Sequence, residues 1–215
     1  MVRAASRSDD DRLRLWKRSI VAYTYLIVPI VVLLFCYADV LIPLLFTEQY
    51  VGAVPIFRIL VAVTIIQCFE FSTPLRATNR NKILLVSNVI MLSVNVGIIL
   101  VFFRFLTPYA IYGPAIAIVF SQIVQHVVLG LSITKVYSIS VGGLLKWRSL
   151  AIIFGSAALS CVPLVIGEQI DIPDFARLPV FSLIFAISYF LLVRRAKLDE
   201  VETLIQTLGR RMRRT

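Results

Sequence analysis

The sequence predicts an all-α membrane protein with about six transmembrane helices. Hydrophobic residues make up 59% of the 215-residue chain and charged residues only 16%, whereas about 25% of the residues in a soluble domain are charged. The mean hydropathy is +0.89. The apolar residues fall into segments of about 20 residues, the length of helix that crosses a bilayer.

The six predicted spans follow one another with short connections. They lie at 20–38, 55–73, 83–103, 113–134, 150–167 and 178–193, and apolar residues continue past the first span to 46. Arg58 and Glu70 interrupt the second span, the third is uncharged, and the fourth contains His126 as its only ionisable residue. We therefore divide the chain into a linker (1–19), a six-helix transmembrane region (20–193) and a basic tail (194–215).

The basic residues predict the orientation of these spans. Nineteen of the 22 Lys and Arg residues lie before span one, between spans two and three, between spans four and five, or after span six. By the positive-inside rule, these segments and both termini are cytoplasmic. The net charge of +10 is spread over short clusters between apolar segments, which does not suggest a nucleic-acid-binding face.

The two ends of the chain have different patterns. Three aspartates at 9–11 occupy the flank that is basic in a signal peptide, so we interpret 1–19 as a linker inside a longer polypeptide. In the tail, Leu198, Val201, Leu204 and Leu208 recur at helical spacing ahead of an arginine cluster. This pattern predicts an amphipathic helix on the anionic lipids of the inner leaflet.

Sequence motifs for catalysis or metal binding are absent. The three cysteines lie in apolar segments without a C-x-x-C motif, and the single histidine belongs to no metal-binding motif. We therefore expect a protein that is not an enzyme and needs neither a cofactor nor a metal.

The polar residues within the spans are the candidate binding residues. Arg58 either binds an anion or extends its guanidinium to the outer interface, and Glu70 is expected to pair with a basic residue such as Arg76. The other candidates are Asn88 and Asn95, spaced i, i+7 on span three, with Gln122 and His126, spaced i, i+4 on span four. They either join neighbouring helices by hydrogen bonds or face a polar cavity.

Four segments carry a resemblance to a known family. They are the charged linker RLRLWKR at 12–18, followed by a helix with an internal proline at 29, then LLFTEQY at 44–50, LRATNRNK at 75–82 and YAIYGPAIA at 109–117. From Arg12 onward the chain resembles the C-terminal half of polysaccharide-unit (Wzx-type) flippases, whose superfamily also contains MATE exporters and lipid II flippases. Thr47, Ala110 and Pro114 depart from the family pattern. Because Thr47 replaces a glycine and a positive φ is costly for threonine, we expect a differently built turn there.

The resemblance implies a transporter of lipid-linked oligosaccharide in the inner (cytoplasmic) membrane. Its substrate would be an undecaprenyl-diphosphate-linked oligosaccharide, with Arg58 at the diphosphate and Asn88, Asn95, Gln122 and His126 at the glycan. Family members have 12 or 14 spans in two lobes, so this chain would form one lobe beside a missing N-terminal lobe or a second copy. Two alternatives stay open: a MATE-type cation-coupled drug exporter, and a non-transporting membrane fragment or partner subunit.

Overall fold

The computed structural model describes residues 2–167, 174–198 and 201–202, with the backbone alone for 2–9, 165–167 and 174–177. The described residues are helical almost throughout and contain no strand. The helices are α1 (Val2–Cys36), α2 (Ala38–Phe46), α3 (Val54–Gln67), α4 (Ser72–Ala77), α5 (Asn81–Phe105), α6 (Gly113–Val136), α7 (Trp147–Ser160), α8 (Val162–Gly167) and α9 (Asp174–Arg195). Short 3-10 helices occupy Glu48–Ala53, Thr107–Tyr112 and Val141–Gly143.

The predicted number of spans is confirmed for the described part of the chain. Six helical stretches are long and apolar enough to cross a membrane: Asp10–Cys36, Glu48–Ala77, Asn81–Phe105, Thr107–Val136, Trp147–Leu164 and Leu178–Arg195. The protein is therefore a multi-pass membrane protein. Most of the predicted tail helix and the loop at 168–173 lie outside the described residues.

The chain divides into two compact units. One comprises Met1–Ile20 and Pro55–Leu145, and the other comprises Val21–Val54 and Lys146–Thr215. The helix α1 contributes residues to both, because the boundary falls between Ile20 and Val21.

In the first unit, α5 packs mainly against α6, the next long helix in the chain. Their approach is close at Gly113, where an added Cβ atom would lie 2.8 Å from the Cβ of Phe102. Real Cβ atoms do not come this close, so only glycine fits without a shift of one helix. This requirement explains the glycine in the YAIYGPAIA segment.

The basic turn after α4 also has a defined geometry. Asn79 has a φ of 56°, and Arg80 N–H donates to the Leu75 carbonyl (2.9 Å) while Asn79 N–H donates to the Arg76 carbonyl (3.0 Å). This is the hydrogen-bond pattern of a Schellman motif, which ends a helix with a left-handed residue. Asparagine suits that position because its side chain tolerates a positive φ better than most residues do.

In the second unit, α9 packs against α7 and α8. A buried apolar cluster is formed by Tyr37, Leu164, Phe181 and Phe185. Deeper in the same unit, the hydroxyl of Tyr189 donates to the carbonyl of Tyr25 at 2.8 Å. That carbonyl lies four residues before Pro29, which has no N–H to donate, so the tyrosine supplies the hydrogen bond that the proline cannot.

The structure differs from the sequence-based expectations at two places. The second span was expected to be one helix over 55–73, but α3 ends at Gln67 and α4 starts at Ser72. Thr47 was expected to avoid a positive φ, yet its φ is 88° and its ψ is 162°. This conformation is favourable only for glycine, so the turn keeps the glycine-type geometry although the residue has changed.

Candidate functional site: a polar pocket at the break in the second span

The break between α3 and α4 has its own hydrogen-bond partners. The indole Nε1 of Trp16 donates to the carbonyl of Glu70 at 2.7 Å. The carboxylate of Glu70 accepts a hydrogen bond from the N–H of Ser72 at 3.0 Å and another from the Ser72 hydroxyl. Because lipid offers no hydrogen bonds to an interrupted backbone, these partners are what makes a break within a span tolerable.

Aromatic contacts also hold the break between α3 and α4, where Phe71 packs against one ring from α1 and another from α6. The rings of Trp16 and Phe71 have centroids 5.7 Å apart, and the rings of Phe71 and His126 are 5.6 Å apart. Trp16 and Phe71 are each 7% exposed. A side chain of α1 therefore connects through the break to α6, within the first unit.

Amide side chains connect α5 with α6. Gln125 Nε2 donates to Asn88 Oδ1 at 2.6 Å, and Asn95 Nδ2 donates to the buried hydroxyl of Ser121 at 3.3 Å. Of the two interpretations of these amides, the structure shows that both asparagines join the helices. Asn88 additionally faces a cavity.

The ring of His126 has a defined orientation. Its Nδ1 lies 2.8 Å from the backbone carbonyl oxygen of Gln122, one turn earlier on α6. Because a carbonyl oxygen only accepts, Nδ1 carries a proton in this arrangement. The other nitrogen, Nε2, accepts a hydrogen bond when the ring is neutral and donates one when the ring is charged.

A cavity of about 350 Å³ lies between the break, α5 and α6. Its lining is mostly polar and consists of Gln67, Glu70, Phe71, Ser72, Arg76, Asn88, Gln122, Gln125, His126 and Leu129. Amides, a hydroxyl, an imidazole, a carboxylate and a guanidinium thus surround one space. Together they can donate and accept several hydrogen bonds, as a hydroxyl-rich ligand requires.

The charged residues of this pocket are arranged differently from the expected ion pair. Within the described part of the chain, Glu70 and Arg76 form no salt bridge, because the Glu70 carboxylate is bonded to Ser72 instead. The guanidinium of Arg76 is exposed. Both charges nevertheless line the same cavity.

Three of the five predicted binding residues meet in this pocket, namely Asn88, Gln122 and His126. Arg58 lies on α3 nine residues before Gln67, about 14 Å along the helix, and does not belong to the lining. Asn95 lies two turns along α5 from Asn88 and is engaged with Ser121.

Sequence reasoning missed the break and the residues around it. The signal was present in Ser72, Thr73 and Pro74, because proline is tolerated in the first turn of a helix but not in its interior. Recognising a helix start at Ser72 would have placed Glu70 in a connection inside the span. It would then have been a candidate for the site.

Comparison with known proteins identifies a similar family over the first part of the chain. The family described as "Polysaccharide biosynthesis protein" matches residues 2–55. The match includes Trp16 but no residue that lines the pocket. No curated protein and no solved structure matches the chain. Over its first quarter, this multi-pass membrane protein is thus similar at a coarse level to proteins of polysaccharide biosynthesis.

Proposed function

We propose that the protein is a transporter, one lobe of a flippase that moves lipid-linked oligosaccharide across the cytoplasmic membrane. The six apolar stretches and the family match support this proposal. The observation that carries it is the polar pocket at the broken second span. Interrupted helices at membrane depth are tolerated where they line a cavity, and transporters place substrate sites at such interruptions.

In this proposal, the pocket binds part of the glycan. Its volume of about 350 Å³ is near the lower end for ligand sites, which extend to about 1,000 Å³, so it suits a sugar unit more than a whole oligosaccharide. The amides of Asn88 and Gln122 bond to hydroxyl groups, and the ring of Phe71 gives the pocket one apolar wall. Transport forms and breaks no covalent bond, so the protein acts without catalytic residues or a cofactor.

A complete transport path in this proposal needs a second wall. Alternating access in such transporters is a rocking of one bundle against another. We propose that a separate N-terminal lobe or a second copy of the chain provides that bundle. The chain expressed without such a partner would then bind its substrate but would not restore transport to a flippase-deficient strain.

Binding to the purified chain in nanodiscs tests the proposal. An isoprenyl-diphosphate-linked oligosaccharide should bind. Gln122→Leu should weaken that binding, because leucine is similar in size to glutamine but lacks the amide group. Gln49→Leu is the matched control, since Gln49 is exposed in the 3-10 helix Glu48–Ala53 and lies outside the lining. Binding of hydrophobic cations but not of the glycolipid would instead favour a drug exporter.

A further inference from the structure

We infer that Cys36 and Cys161 are a modification site, oxidised to a disulfide bond at the outer end of the membrane-spanning region. The inference goes beyond the proposed function and does not depend on it, because both cysteines belong to the second unit and the pocket belongs to the first. The sequence alone gives no sign of the pair, since the two cysteines are 125 positions apart and share no motif.

The two thiols are in direct contact. Cys36 is the last residue of α1 and Cys161 lies between α7 and α8, and their side chains are hydrogen-bonded to each other. Both also pack against the buried apolar cluster of the second unit, which includes Tyr37 and Leu164. A disulfide forms only between cysteines that already lie close together, so this contact meets its first requirement.

Buried neighbours fix the backbone on both sides of the contact. Tyr37 directly follows Cys36 and is 7% exposed, and Leu164 lies one turn after Cys161 and is 4% exposed. The N–H of Leu164 donates to the carbonyl of Cys161 at 3.0 Å. Because both neighbours belong to one buried cluster, packing holds the two cysteines side by side.

The pair lies at the same end of two spans. Cys36 ends the apolar stretch Asp10–Cys36, and Cys161 lies three residues before the end of the stretch Trp147–Leu164. In the predicted orientation these stretches, the first and the fifth, both run outward from the cytoplasm. Asp39 is exposed three residues after Cys36, and a carboxylate is costly in hydrocarbon, so this end lies near water. Disulfides form and persist on the oxidising side of such a membrane.

The third cysteine differs in both respects and provides the control. Cys68 is 1% exposed, whereas Cys36 and Cys161 are partly exposed. The thiol of Cys68 donates to the carbonyl of Thr64 at 3.4 Å. Cys68 directly follows the end of α3 at Gln67, toward the cytoplasmic end of the second span in the predicted orientation. We therefore expect Cys68 to stay a thiol.

The oxidant is the protein disulfide of a thiol oxidase on the outer side. One cysteine, as the thiolate, attacks a sulfur of that disulfide, which forms a mixed disulfide and releases one oxidase thiolate. The second cysteine then attacks the sulfur of the first, which forms the bond between Cys36 and Cys161 and releases the second oxidase thiolate. The two thiol protons and two electrons pass to the oxidase, which becomes a dithiol.

The bond joins two distant parts of one unit. The second unit consists of Val21–Val54 and Lys146–Thr215, which are separated in the sequence by Pro55–Leu145. Cys36 lies in the first segment and Cys161 in the second. A cross-link that closes so long a loop restricts the unfolded chain strongly, so the disulfide stabilises the second unit.

The test measures the state of each thiol in the full chain, made in a bacterial host with an oxidising periplasm. Thiols are blocked with N-ethylmaleimide in denaturant at lysis, and the protein is then reduced and treated with a polymer-coupled maleimide that retards it on a gel. Two polymer additions are expected after reduction and none without it. Mass spectrometry of a tryptic digest should find the peptide 19–58 joined to the peptide 149–177 before reduction.

Matched variants identify the partners. Cys36→Ser and Cys161→Ser should each abolish both polymer additions, whereas Cys68→Ser should keep both. A host that lacks its periplasmic thiol oxidase should show at least about fivefold less disulfide. Additions that persist in either Cys36→Ser or Cys161→Ser, or a cross-linked dimer on a non-reducing gel, would assign the bond to other partners and overturn the inference.

Two further results would also overturn it. Blocking of all three cysteines at lysis would show that no disulfide exists in the cell. Formation of the bond only after an oxidant is added to the purified protein would show contact between the thiols without the modification.

Thermal unfolding tests the stabilising role. Reduction should lower the midpoint by about 5 °C or more in the original chain and in Cys68→Ser, but not in Cys36→Ser. An equal midpoint before and after reduction would show that the bond does not stabilise the second unit.

Discussion

The hydrogen bond from Tyr189 to the carbonyl of Tyr25 allows a direct test of how α1 tolerates a proline. In a regular helix this carbonyl would accept from the N–H of residue 29, but proline has none. Tyr189→Phe removes the hydroxyl and keeps the aromatic ring. The ring contact with Tyr25, at 5.8 Å between centroids, should therefore persist.

The expected cost follows from the burial of both partners. Tyr189 is 0% exposed and Tyr25 is 6% exposed, so water does not replace the lost donor. A buried polar group without a partner costs about 1–3 kcal/mol, and hydrogen bonds between membrane helices contribute about 0.6–1.7 kcal/mol in double-mutant cycles. Since the ranges overlap, we expect Tyr189→Phe to lower the free energy of unfolding by about 1–2 kcal/mol.

A double-mutant cycle with Pro29→Ala isolates this effect. Alanine supplies the missing N–H, so the Tyr25 carbonyl regains its helical partner and Tyr189→Phe should then cost about 1 kcal/mol less. The assay is reversible unfolding in mixed detergent and SDS micelles, followed by circular dichroism. Tyr23→Phe is the control, because Tyr23 is 49% exposed on the same helix. An equal cost of Tyr189→Phe in both backgrounds would refute the reasoning.

Four further changes have defined outcomes. Gly113→Ala should lower the unfolding free energy by about 1–3 kcal/mol because the new methyl group collides with Phe102; unchanged stability would contradict the close approach. Thr47→Gly should raise it by about 1 kcal/mol or more by removing backbone strain, whereas Thr47→Ala should not. Trp16→Phe should cost about 1–2 kcal/mol and expose the break at Glu70 to faster hydrogen exchange; unchanged exchange would show that the indole does not support the break. A reporter fused at 171 should be active outside the cytoplasm, and a reporter fused at 215 should be active in the cytoplasm. Cytoplasmic activity at 171 would overturn the predicted orientation.

Composition and the periodic placement of basic clusters were sufficient to predict the helical class and the number of spans. The helices α5 and α6 begin and end within two residues of the predicted third and fourth spans, because those segments contain no Lys, Arg, Asp or Glu and no break. The second span was predicted less well. The expected pairing of Glu70 with a basic residue such as Arg76 depends on a continuous helix, and hydropathy alone does not detect a short interruption.

The site was only partly predictable for a different reason. The spacing of Gln122 and His126 places them on one face of α6, and in the structure both line the pocket. Local periodicity does not reveal which helix faces them, however, because that depends on contacts between distant residues. The bond from Trp16 to Glu70 joins residues 54 positions apart, and no local pattern indicates it.

The order of the pocket residues along the chain has a consequence for biogenesis. All of them lie in the single stretch Gln67–Leu129, and the stretch contains the hairpin of α5 and α6. Contacts between neighbouring helices form early because little chain entropy is lost in closing the loop between them. The pocket can therefore assemble without waiting for the contacts of α7, α8 and α9, and the bonds of Asn88 and Asn95 then satisfy polar groups that would otherwise face the lipid alone.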